Sequence, residues 1–583
     1  MIKSSLIYKT ICAFGIMLLI SSYETNRNSG SDLSYISKPQ ENYDAEYTVR
    51  LNESEKSSIS TTLMGFNLVY VHETDAIWSG GQLTGYMNDI NASVFRYPAG
   101  TVTTFYHWNE LTGEGWEDGW DPLNPVTPKA SSAFMDVDEF MEVVRNTNSM
   151  PLVGINLSSG RRWNRNQDGI DEALALMKYL KDNDFLVRYY YLDNEPYMDD
   201  ANGGAKTIEE YAALVNMYAD EMRKFDPDIR IIINWRQAFK SRRSEYQKLF
   251  QIAGHNINVV DIHWYWNYSN SNMSEWLAKT PMILWTGDTY LQEMAYFRQM
   301  VNDFGYPDTE LATLEWNTGA ITSTQLTPHQ CALVHSEMLM TYMLGGLDIA
   351  TFWPLQWPNN NITLRTFYNR YNSTPQPNYN TFQFIGKLQG SKLINTEVIM
   401  SQPHMLIVAA HNEEEDVLRI CILNKNTANV RVNMEASLWS SMVLEDGKTF
   451  TLTGGGSGSE VKPVELLEHT PGRISLVTSG ISLTMLSFKR IATSNSIIVP
   501  ESIPESTVYP NPATGYVTIK LRKNEKGASI TLINSAGIQL THMSIPAGQI
   551  FSSIDINKLE VGIYMVMIET ENMKSVKRLV IEE

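Results

Sequence analysis

Two glutamates stand at the ends of apolar stretches that are far apart in the chain. An aromatic run at Tyr189–Leu192 leads through Asn194 to Glu195, and an apolar run at Leu311–Leu314 leads to Glu315. Short apolar runs rich in aromatic residues are typical of buried strands, and the proline after Glu195 cannot continue a strand's hydrogen-bond ladder. Two carboxyl groups at strand ends could act as acid and nucleophile in one site. We therefore take both glutamates as candidate catalytic residues.

Eight apolar segments of this kind alternate with segments of helical periodicity, which predicts repeated βαβ units and a parallel sheet. Eight units are the number that closes a (β/α)8 TIM barrel. The alternative is an open doubly wound sheet, which usually has a glycine-rich first turn that this sequence lacks. The predicted strands are Leu63–Leu68, Ser93–Pro98, Pro151–Leu157, Tyr189–Leu192, Ile231–Asn234, Val259–Tyr265, Leu311–Asn317 and Asp348–Trp353.

The chemistry of a TIM barrel lies at the C-terminal ends of its strands. The polar and aromatic residues at the predicted ends are Asn67, Arg96, Asn156, Asn194, Glu195, Asn234, His263, Tyr265, Glu315 and Trp353. Apart from the two glutamates, we expect these residues to bind substrate. Two carboxyl groups among amides, an imidazole and aromatic rings suit hydrolysis of a glycosidic bond, in which one acid protonates the leaving oxygen and the other carboxylate attacks carbon or activates water. An ion pair in the barrel core is the alternative for Arg96, and a buried histidine satisfied by its neighbours is the alternative for His263.

Four segments resemble motifs of the retaining glycoside hydrolases of clan A: Phe95–Gly100, Tyr106–Trp108, Asn194–Glu195 and Glu315–Asn317. The resemblance is strongest to the α-L-arabinofuranosidase-like branch, family 51, with relatives in families 39 and 79. It covers about residues 60–385 and implies that a β-sandwich follows the barrel. It also implies that Glu195 is the acid/base and Glu315 the nucleophile.

The same resemblance implies roles for the neighbours of this pair. Asn194 is expected to bind the sugar 2-hydroxyl, Arg96 to brace the nucleophile, and Tyr265 to lie near the nucleophile. Trp353 is expected to form a sugar platform, with core packing as the alternative, and Trp108 is expected to be a further substrate-binding residue.

Several residues leave the substrate open. Ala99 and Asp193 stand where the arabinofuranosidase-like branch usually has glycine. Arginines follow the third and fifth predicted strands, among them Arg161 and Arg236. Guanidinium groups bind sulfate or carboxylate in bidentate fashion, so an anionic glycan is one expected substrate class. Solvated helix starts are the alternative for these arginines.

Bulk composition bounds the remaining possibilities. The 583-residue chain is too long for one core, so we expect about two to four domains. Its net charge of −19 argues against nucleic-acid binding by the whole chain. Cys331 and Cys421, the cysteines beyond the first apolar segment, are too few for a disulfide framework. No metal-binding or nucleotide-binding motif is present in the sequence, so we expect neither a metal nor another cofactor.

Composition shifts along the chain predict its domain organisation. Lys3 and Lys9 precede the apolar run Ile11–Ile20, as in an export signal, with an N-terminal anchor as the alternative. A first strand near Glu46–Leu51 belongs either to the barrel or to the sandwich. The expected organisation is a signal peptide (1–22), a flexible lead-in (23–45), the barrel (46–386), a β-sandwich (387–491), a linker (492–506) and a small all-β domain (507–583).

The last domain has a resemblance of its own. The segments Val508–Ala513, Gly562–Tyr564 and Lys574–Val580 resemble the C-terminal sorting domain of type IX secretion in Bacteroidetes. This implies a secreted or cell-surface protein whose partner is the outer-membrane secretion machinery. A carbohydrate-binding sandwich is the alternative, although the segment has no tryptophan.

These observations favour a secreted retaining glycoside hydrolase that acts on plant or algal polysaccharide and resembles arabinofuranosidases. An endo-hydrolase of an anionic glycan, such as an algal galactan, is the alternative within the same class. A surface protein that binds glycan without cleaving it is the alternative from another class.

Overall fold

The computed structural model describes residues 43–582 apart from several gaps. The predicted signal peptide, residues 23–42 of the lead-in and residues 492–505 of the linker lie outside the described part. Among the described residues, no helix combines the length and apolarity needed to cross a membrane. The gaps are 110–115, 117–132, 199–204, 267–271, 280, 320–324, 358–364, 399–403, 437–441, 471, 491–505, 522–525, 535–537 and 571–572.

Eight parallel strands form a closed barrel, which confirms the predicted fold and excludes the open sheet. Each strand pairs with the next, and the last pairs with the first. An apolar cluster that includes Tyr191 and Leu314 fills the interior, so the polar strand ends lie at its C-terminal mouth. After β1 (Ala45–Ser58), the barrel strands are β2 (Thr62–Asn67), β3 (Val94–Tyr97), β4 (Met150–Ile155), β5 (Tyr189–Leu192), β6 (Arg230–Asn234), β7 (Val259–Tyr265), β8 (Glu310–Asn317) and β9 (Ile349–Phe352).

Helices cover the outside of the barrel. Thr207 caps the helix Ile208–Phe225, because its hydroxyl accepts the N–H of Glu210 at 3.1 Å. The described α-helices are α1 (Asp75–Trp78), α2 (Gln82–Asp89), α3 (Val137–Thr147), α4 (Ser158–Arg162), α5 (Asn166–Asp182), α6 (Ile208–Phe225), α7 (Arg243–Ala253), α8 (Met273–Ala278), α9 (Tyr290–Asp303), α10 (Pro328–Gly345) and α11 (Asn378–Ile385). A short hairpin, β10 (Tyr368–Asn369) and β11 (Thr374–Pro375), precedes α11.

A ten-stranded sheet follows the barrel, and β1 lies within it between β12 and β15. Its core joins Ile420 of β14 to Val432 of β15. A flat sheet would hold these strands roughly 19 Å apart, so the sheet folds over itself as the predicted sandwich. Its strands are β12 (Lys392–Val398), β13 (Met405–Asn412), β14 (Val417–Asn424), β15 (Val430–Glu435), β16 (Met442–Thr453), β17 (Gly458–Pro463), β18 (Leu466–Thr470), β19 (Arg473–Thr478) and β20 (Ser482–Arg490).

A buried ion pair joins the barrel layer to the sandwich. Lys425 Nζ, just after β14, lies 2.8 Å from Glu337 Oε2 of α10, and both side chains are buried. Trp276 Nε1 of α8 donates to the same oxygen at 2.5 Å. Because α10 packs between barrel and sandwich, it is buried almost all round, as helices enclosed on every side are.

The C-terminal residues form a small all-β unit with its own apolar core. Two sheets contribute to it, one of three strands and one of four. The strands are β21 (Ser506–Tyr509), β22 (Tyr516–Leu521), β23 (Ala528–Asn534), β24 (Gln539–Ile545), β25 (Phe551–Asp555), β26 (Gly562–Thr570) and β27 (Met573–Ile581).

Candidate active site

The two predicted glutamates meet at the C-terminal mouth of the barrel. One carboxylate oxygen of Glu195, one of Glu315 and a ring nitrogen of His263 all lie within 4.8 Å of one another. Glu195 comes shortly after β5, whereas Glu315 lies inside β8 near its end. Their side chains are 26% and 7% exposed, so Glu195 faces the opening more than Glu315 does.

An arginine and a tyrosine hold Glu315. Arg96 Nη1 donates to Oε1 at 2.9 Å, and Tyr265 OH donates to Oε2 at 2.8 Å. Each carboxylate oxygen therefore has a donor, and the two donors fix the orientation of the carboxyl group. A carboxylate held in one orientation suits a nucleophile.

Arg96 links four strand ends of the barrel. Its Nη1 also donates to Asn67 Oδ1 at 3.0 Å, and its Nη2 donates to Asn194 Oδ1 at 2.6 Å. The guanidinium carbon lies 4.5 Å from the centre of the Tyr191 ring, and the residue is fully buried. Both predicted roles of Arg96 fit this geometry, because the ion pair with Glu315 is buried in the barrel and also orients the candidate nucleophile.

Glu195 has a different set of partners. Tyr197 OH donates to its Oε1 at 3.1 Å, and His263 Nδ1 lies 2.9 Å from the same oxygen. The backbone N–H of Glu195 donates to Asn234 Oδ1 at 2.9 Å. Both predicted residues therefore contact the candidate acid/base: Asn234 binds the backbone of Glu195, and His263 contacts the side chain of Glu195.

Three carboxylates surround His263. Its Nδ1 lies 3.4 Å from Glu315 Oε2, and its Nε2 lies 3.3 Å from Asp261 Oδ2. Burial lowers the pKa of His263, but the charges of Glu315, Asp261 and Glu195 outweigh burial and raise the pKa to about 10. Burial raises the pKa of Glu195, but the charge and hydrogen bond of His263 and the hydrogen bond of Tyr197 outweigh it and lower the pKa. In the resting site, His263 is therefore a cation beside an ionised Glu195.

The trio of Glu195, His263 and Glu315 also has the donor types that bind a divalent cation. One feature disfavours that use, because Arg96 Nη1 already places positive charge 2.9 Å from Glu315 Oε1.

Two predicted substrate-binding residues contact other parts of the barrel. Asn156 Oδ1 accepts the N–H of Ser159 at 3.0 Å, which closes the turn after β4. Trp108 Nε1 donates to the carbonyl oxygen of Glu172 at 3.2 Å, and its ring packs 5.0 Å from that of Tyr179 on α5. These contacts join both residues to the helix layer, so their role in substrate binding stays a prediction.

Trp353 follows β9 and lies against Gly100. A Cβ atom at Gly100 would stand 2.4 Å from the indole, and φ of this glycine is +59°, so only glycine allows this contact without a shift. The ring of Trp357 lies 6.1 Å from that of Trp353. Trp353 is 9% exposed and remains a candidate sugar platform.

The predicted arginines are engaged with protein groups. Arg161 Nε lies 2.7 Å from Glu210 Oε1. Arg236 Nη2 donates to the carbonyl oxygen of Tyr197 at 3.2 Å, and its guanidinium lies 5.0 Å from the centre of the Tyr197 ring. Other ion pairs of the same two loops are Arg165–Asp168, Arg242–Glu245 and Arg243–Asp303. Arg236 is joined to the glutamate pair through Tyr197, whose OH donates to Glu195.

Sequence reasoning missed two residues that touch this cluster, Tyr197 and Asp261. Asp261 stands two positions before His263 on β7, and the alternation of a strand puts both on one face. This alternation was sufficient to predict Asp261 from the sequence. Tyr197 lies beyond the proline that ends the strand segment, where no periodicity indicates the direction of a side chain.

Comparisons with known proteins agree with this architecture. Residues 507–582 match the family described as the secretion system C-terminal sorting domain. Over 168 residues, the chain is 24% identical to a probable α-L-arabinofuranosidase C of Aspergillus fumigatus; the match covers 25% of this chain and 30% of the relative. The chain thus spans about 30% of the length of this curated relative.

Solved structures match a larger part of the chain. The α-L-arabinofuranosidase from Thermotoga maritima in its arabinose complex has a TM-score of 0.58 and 17% identity, over 76% of this chain and 99% of that chain. The barrel and sandwich share the fold of this structure. A family 44 xyloglucanase from Paenibacillus polymyxa has the same fold, with a TM-score of 0.54 and 13% identity over 76% of this chain and 100% of that chain. This fold therefore accommodates different substrates and does not by itself identify one.

Proposed function

We propose that this protein is a secreted retaining glycoside hydrolase with Glu315 as nucleophile and Glu195 as acid/base. The observation that supports this most directly is the separation of at most 4.8 Å between an oxygen of each carboxyl group. Retaining enzymes hold their carboxyl groups about 5–5.5 Å apart, whereas inverting enzymes need about 6.5–9.5 Å to admit a water molecule. The short gap favours direct attack by a carboxylate.

The contacts of the two groups support the following reaction. Glu315, oriented by Arg96 and Tyr265, attacks the anomeric carbon as the bond to the leaving oxygen breaks. Glu195 gives a proton to that oxygen and then takes one from the water that cleaves the glycosyl ester. The product therefore keeps the anomeric configuration of the substrate.

The proton for the first step is held between two groups. Glu195 Oε1 and His263 Nδ1 lie 2.9 Å apart, and the resting pair carries its proton on His263. Transfer of that proton back to Glu195 makes Glu195 the acid that protonates the leaving oxygen. Glu195 and His263 therefore titrate as a coupled pair. Loss of this shared proton is expected to set the alkaline limb of activity.

The substrate class we propose is an arabinofuranoside-like unit of a plant or algal polysaccharide. The fungal relative and the Thermotoga maritima structure are both α-L-arabinofuranosidases by name. Arg161 binds Glu210, which removes one arginine from the set that favoured an anionic glycan. Arg236, beside Tyr197, is the arginine through which an anionic substrate would act.

The C-terminal domain points to export. A sorting domain at residues 507–582 supports a secreted or cell-surface protein that uses the secretion machinery of the outer membrane. The predicted domain limits, with the barrel ending near 386 and the sandwich near 491, stay part of this proposal.

Product analysis tests the proposed function. The purified protein is incubated with aryl-glycosides and a polysaccharide panel, and the first product is followed by NMR. We expect release of sugar with retained configuration; the opposite anomer appearing first would refute the retaining mechanism. Glu315→Ala is the control, and equal glycan binding by both proteins without sugar release would favour the non-catalytic binding protein.

A further inference from the structure

The segment that carries Glu195 has an unusual backbone. Asp193 and Glu195 both lie in the left-handed region, with φ of +68° and +42°. In an extended strand, consecutive side chains point to opposite faces. Here Asn194 contacts Arg96 and Glu195 contacts His263, so two consecutive side chains share the site. This conformation is unfavourable for residues other than glycine, and contacts elsewhere must hold it.

A buried lysine makes those contacts on both sides of Glu195. Lys206 Nζ lies 2.9 Å from Asp193 Oδ2, and both side chains are fully buried. Ser158 Oγ donates to the same carboxylate oxygen at 2.7 Å, and Lys206 Nζ lies 2.9 Å from that hydroxyl oxygen. The backbone N–H of Lys206 donates to the carbonyl oxygen of Pro196 at 2.8 Å. Lys206 therefore contacts Pro196, one residue after Glu195, and Asp193, two residues before it.

The partners of Asp193 lie at the starts of two helices. Ser158 is the first residue of α4 and follows β4 after two intervening residues, and Lys206 precedes the residue that caps α6. The ion pair thus ties the end of β5 to two helices of the outer layer. Glycine, the residue usual at position 193 in the arabinofuranosidase-like branch, would adopt the same φ freely but could not bind Lys206.

We propose that the buried Asp193–Lys206 ion pair is a positioning device for the acid/base, which holds Glu195 at His263 and in line with the leaving oxygen. This inference rests on the proposed role of Glu195. An apolar pair of similar size would support the fold as well, since burying two charges costs about what their attraction returns. The ion pair adds a fixed direction, because Asp193 Oδ2 accepts from Ser158 Oγ and lies 2.9 Å from Lys206 Nζ, which itself donates to Ser158 Oγ.

Kinetics with two leaving groups test the inference. The double variant Asp193→Gly/Lys206→Met removes both charges and leaves none unpaired. A displaced acid slows departure of a poor leaving group, whereas an activated dinitrophenolate departs without protonation. We expect kcat/KM to fall about 100-fold for the poor leaving group and less than about 5-fold for the activated one, on the same sugar. Equal losses on both substrates, or no loss, would overturn the proposal.

A second buried ion pair provides the matched control. Glu337→Gln/Lys425→Met removes the pair between α10 and the sandwich, which does not contact Asn194 or Glu195 in the described structure. It is expected to lower Tm without separating the two leaving groups. Asp193→Asn/Lys206→Met keeps the shape of the side chain at position 193, leaves no charge unpaired, and replaces the first double variant if that protein does not fold.

A crystal structure of the double variant separates this inference from the proposed function. We expect the distance from Glu195 Oε1 to His263 Nδ1, 2.9 Å in the wild type, to exceed hydrogen-bond length, about 3.5 Å. An unchanged position of Glu195 would overturn the positioning role even if the wild type cleaved no glycoside. A wild type that is inactive on every glycoside, with Glu195 displaced in the variant, would count against the hydrolase function alone.

Discussion

The two glutamates of the candidate catalytic pair are held in place differently. Glu315 lies within strand β8 and is fixed by side chains, with one donor to each carboxylate oxygen. Glu195 lies beyond β5 on a left-handed backbone. Much of its support acts through the main chain, because Asn234 accepts its backbone N–H and Lys206 pairs with Asp193 two residues earlier. It is also the more exposed of the two, at 26% against 7%.

This difference corresponds to two chemical tasks. A nucleophile must keep its charge and point at one atom, which buried donors achieve. An acid/base must exchange a proton with a leaving group and then with water, which requires an opening and a nearby proton store. His263, between the two groups, supplies positive charge to both. We therefore expect substitutions around Glu315 to slow the hydrolysis of every substrate. Substitutions around Glu195 should slow hydrolysis to an extent that depends on the leaving group.

The largest effect is expected for Glu315→Ala. Without the group that bonds to carbon, kcat/KM should fall on the order of 10⁴-fold or more on activated and poor leaving groups alike. Steady-state kinetics with aryl-glycosides measures it. Glu310→Ala is the matched control, because Glu310 starts the same strand at the opposite end of the barrel, where it binds Arg230. A Glu315→Ala protein with a tenth of wild-type activity would place the nucleophile elsewhere.

The next largest effect is expected for Glu195→Ala. Loss of a general acid should lower kcat/KM about 10²- to 10⁴-fold for poor leaving groups and far less for a dinitrophenolate. Azide should then accelerate turnover of the activated substrate, because it attacks the glycosyl ester without base assistance. Product analysis should show a glycosyl azide of retained configuration. Equal losses for both leaving groups, with no effect of azide, would remove Glu195 from the acid/base role.

Two tyrosines offer a smaller and more discriminating pair of changes. Tyr265→Phe removes the hydrogen bond to Glu315, and such a bond to a charged group contributes about 1.5–3 kcal/mol, so kcat/KM should fall about 10- to 100-fold on all substrates. Tyr197→Phe removes the hydrogen bond to the more exposed Glu195 and should cost about 3- to 10-fold, on poor leaving groups only. The same dependence on the leaving group for both variants would contradict the assignment of different tasks to Glu315 and Glu195.

The parts of the molecule that obey local rules were predictable. Periodicity locates strands, and a count of eight closes a barrel, so the ends at Glu195 and Glu315 were expected to meet. The partner of a strand is not a local property. The sequence therefore left open whether the strand near Glu46–Leu51 belongs to the barrel or to the sandwich, and the structure pairs it with β12 and β15.

Side-chain directions beyond a strand end were the least predictable feature. Asn156 and Trp108 follow strands, yet their contacts are with a turn and with α5. Once the chain leaves the pleat, alternation no longer determines which way a residue points. The Asp193–Lys206 pair was missed for a related reason, because a departure from glycine at position 193 indicated a change of substrate and not an ion pair.

The smallest effect concerns stability and tests the charge that both glutamates share. The pKa of His263 in the folded protein is about 10, against an ordinary value of 6.5, so the fold binds this proton more tightly than the unfolded chain does. Its contribution is complete below about pH 6.5 and is lost as pH rises towards 10. Tm of the wild type should therefore fall more steeply over this range than Tm of His263→Gln. His335→Gln is the control, since burial lowers the pKa of His335 to about 3 and the residue is neutral throughout. Parallel Tm profiles for the wild type and His263→Gln would show that His263 is not the shared cation, and the two glutamates would then have to hold their charges independently.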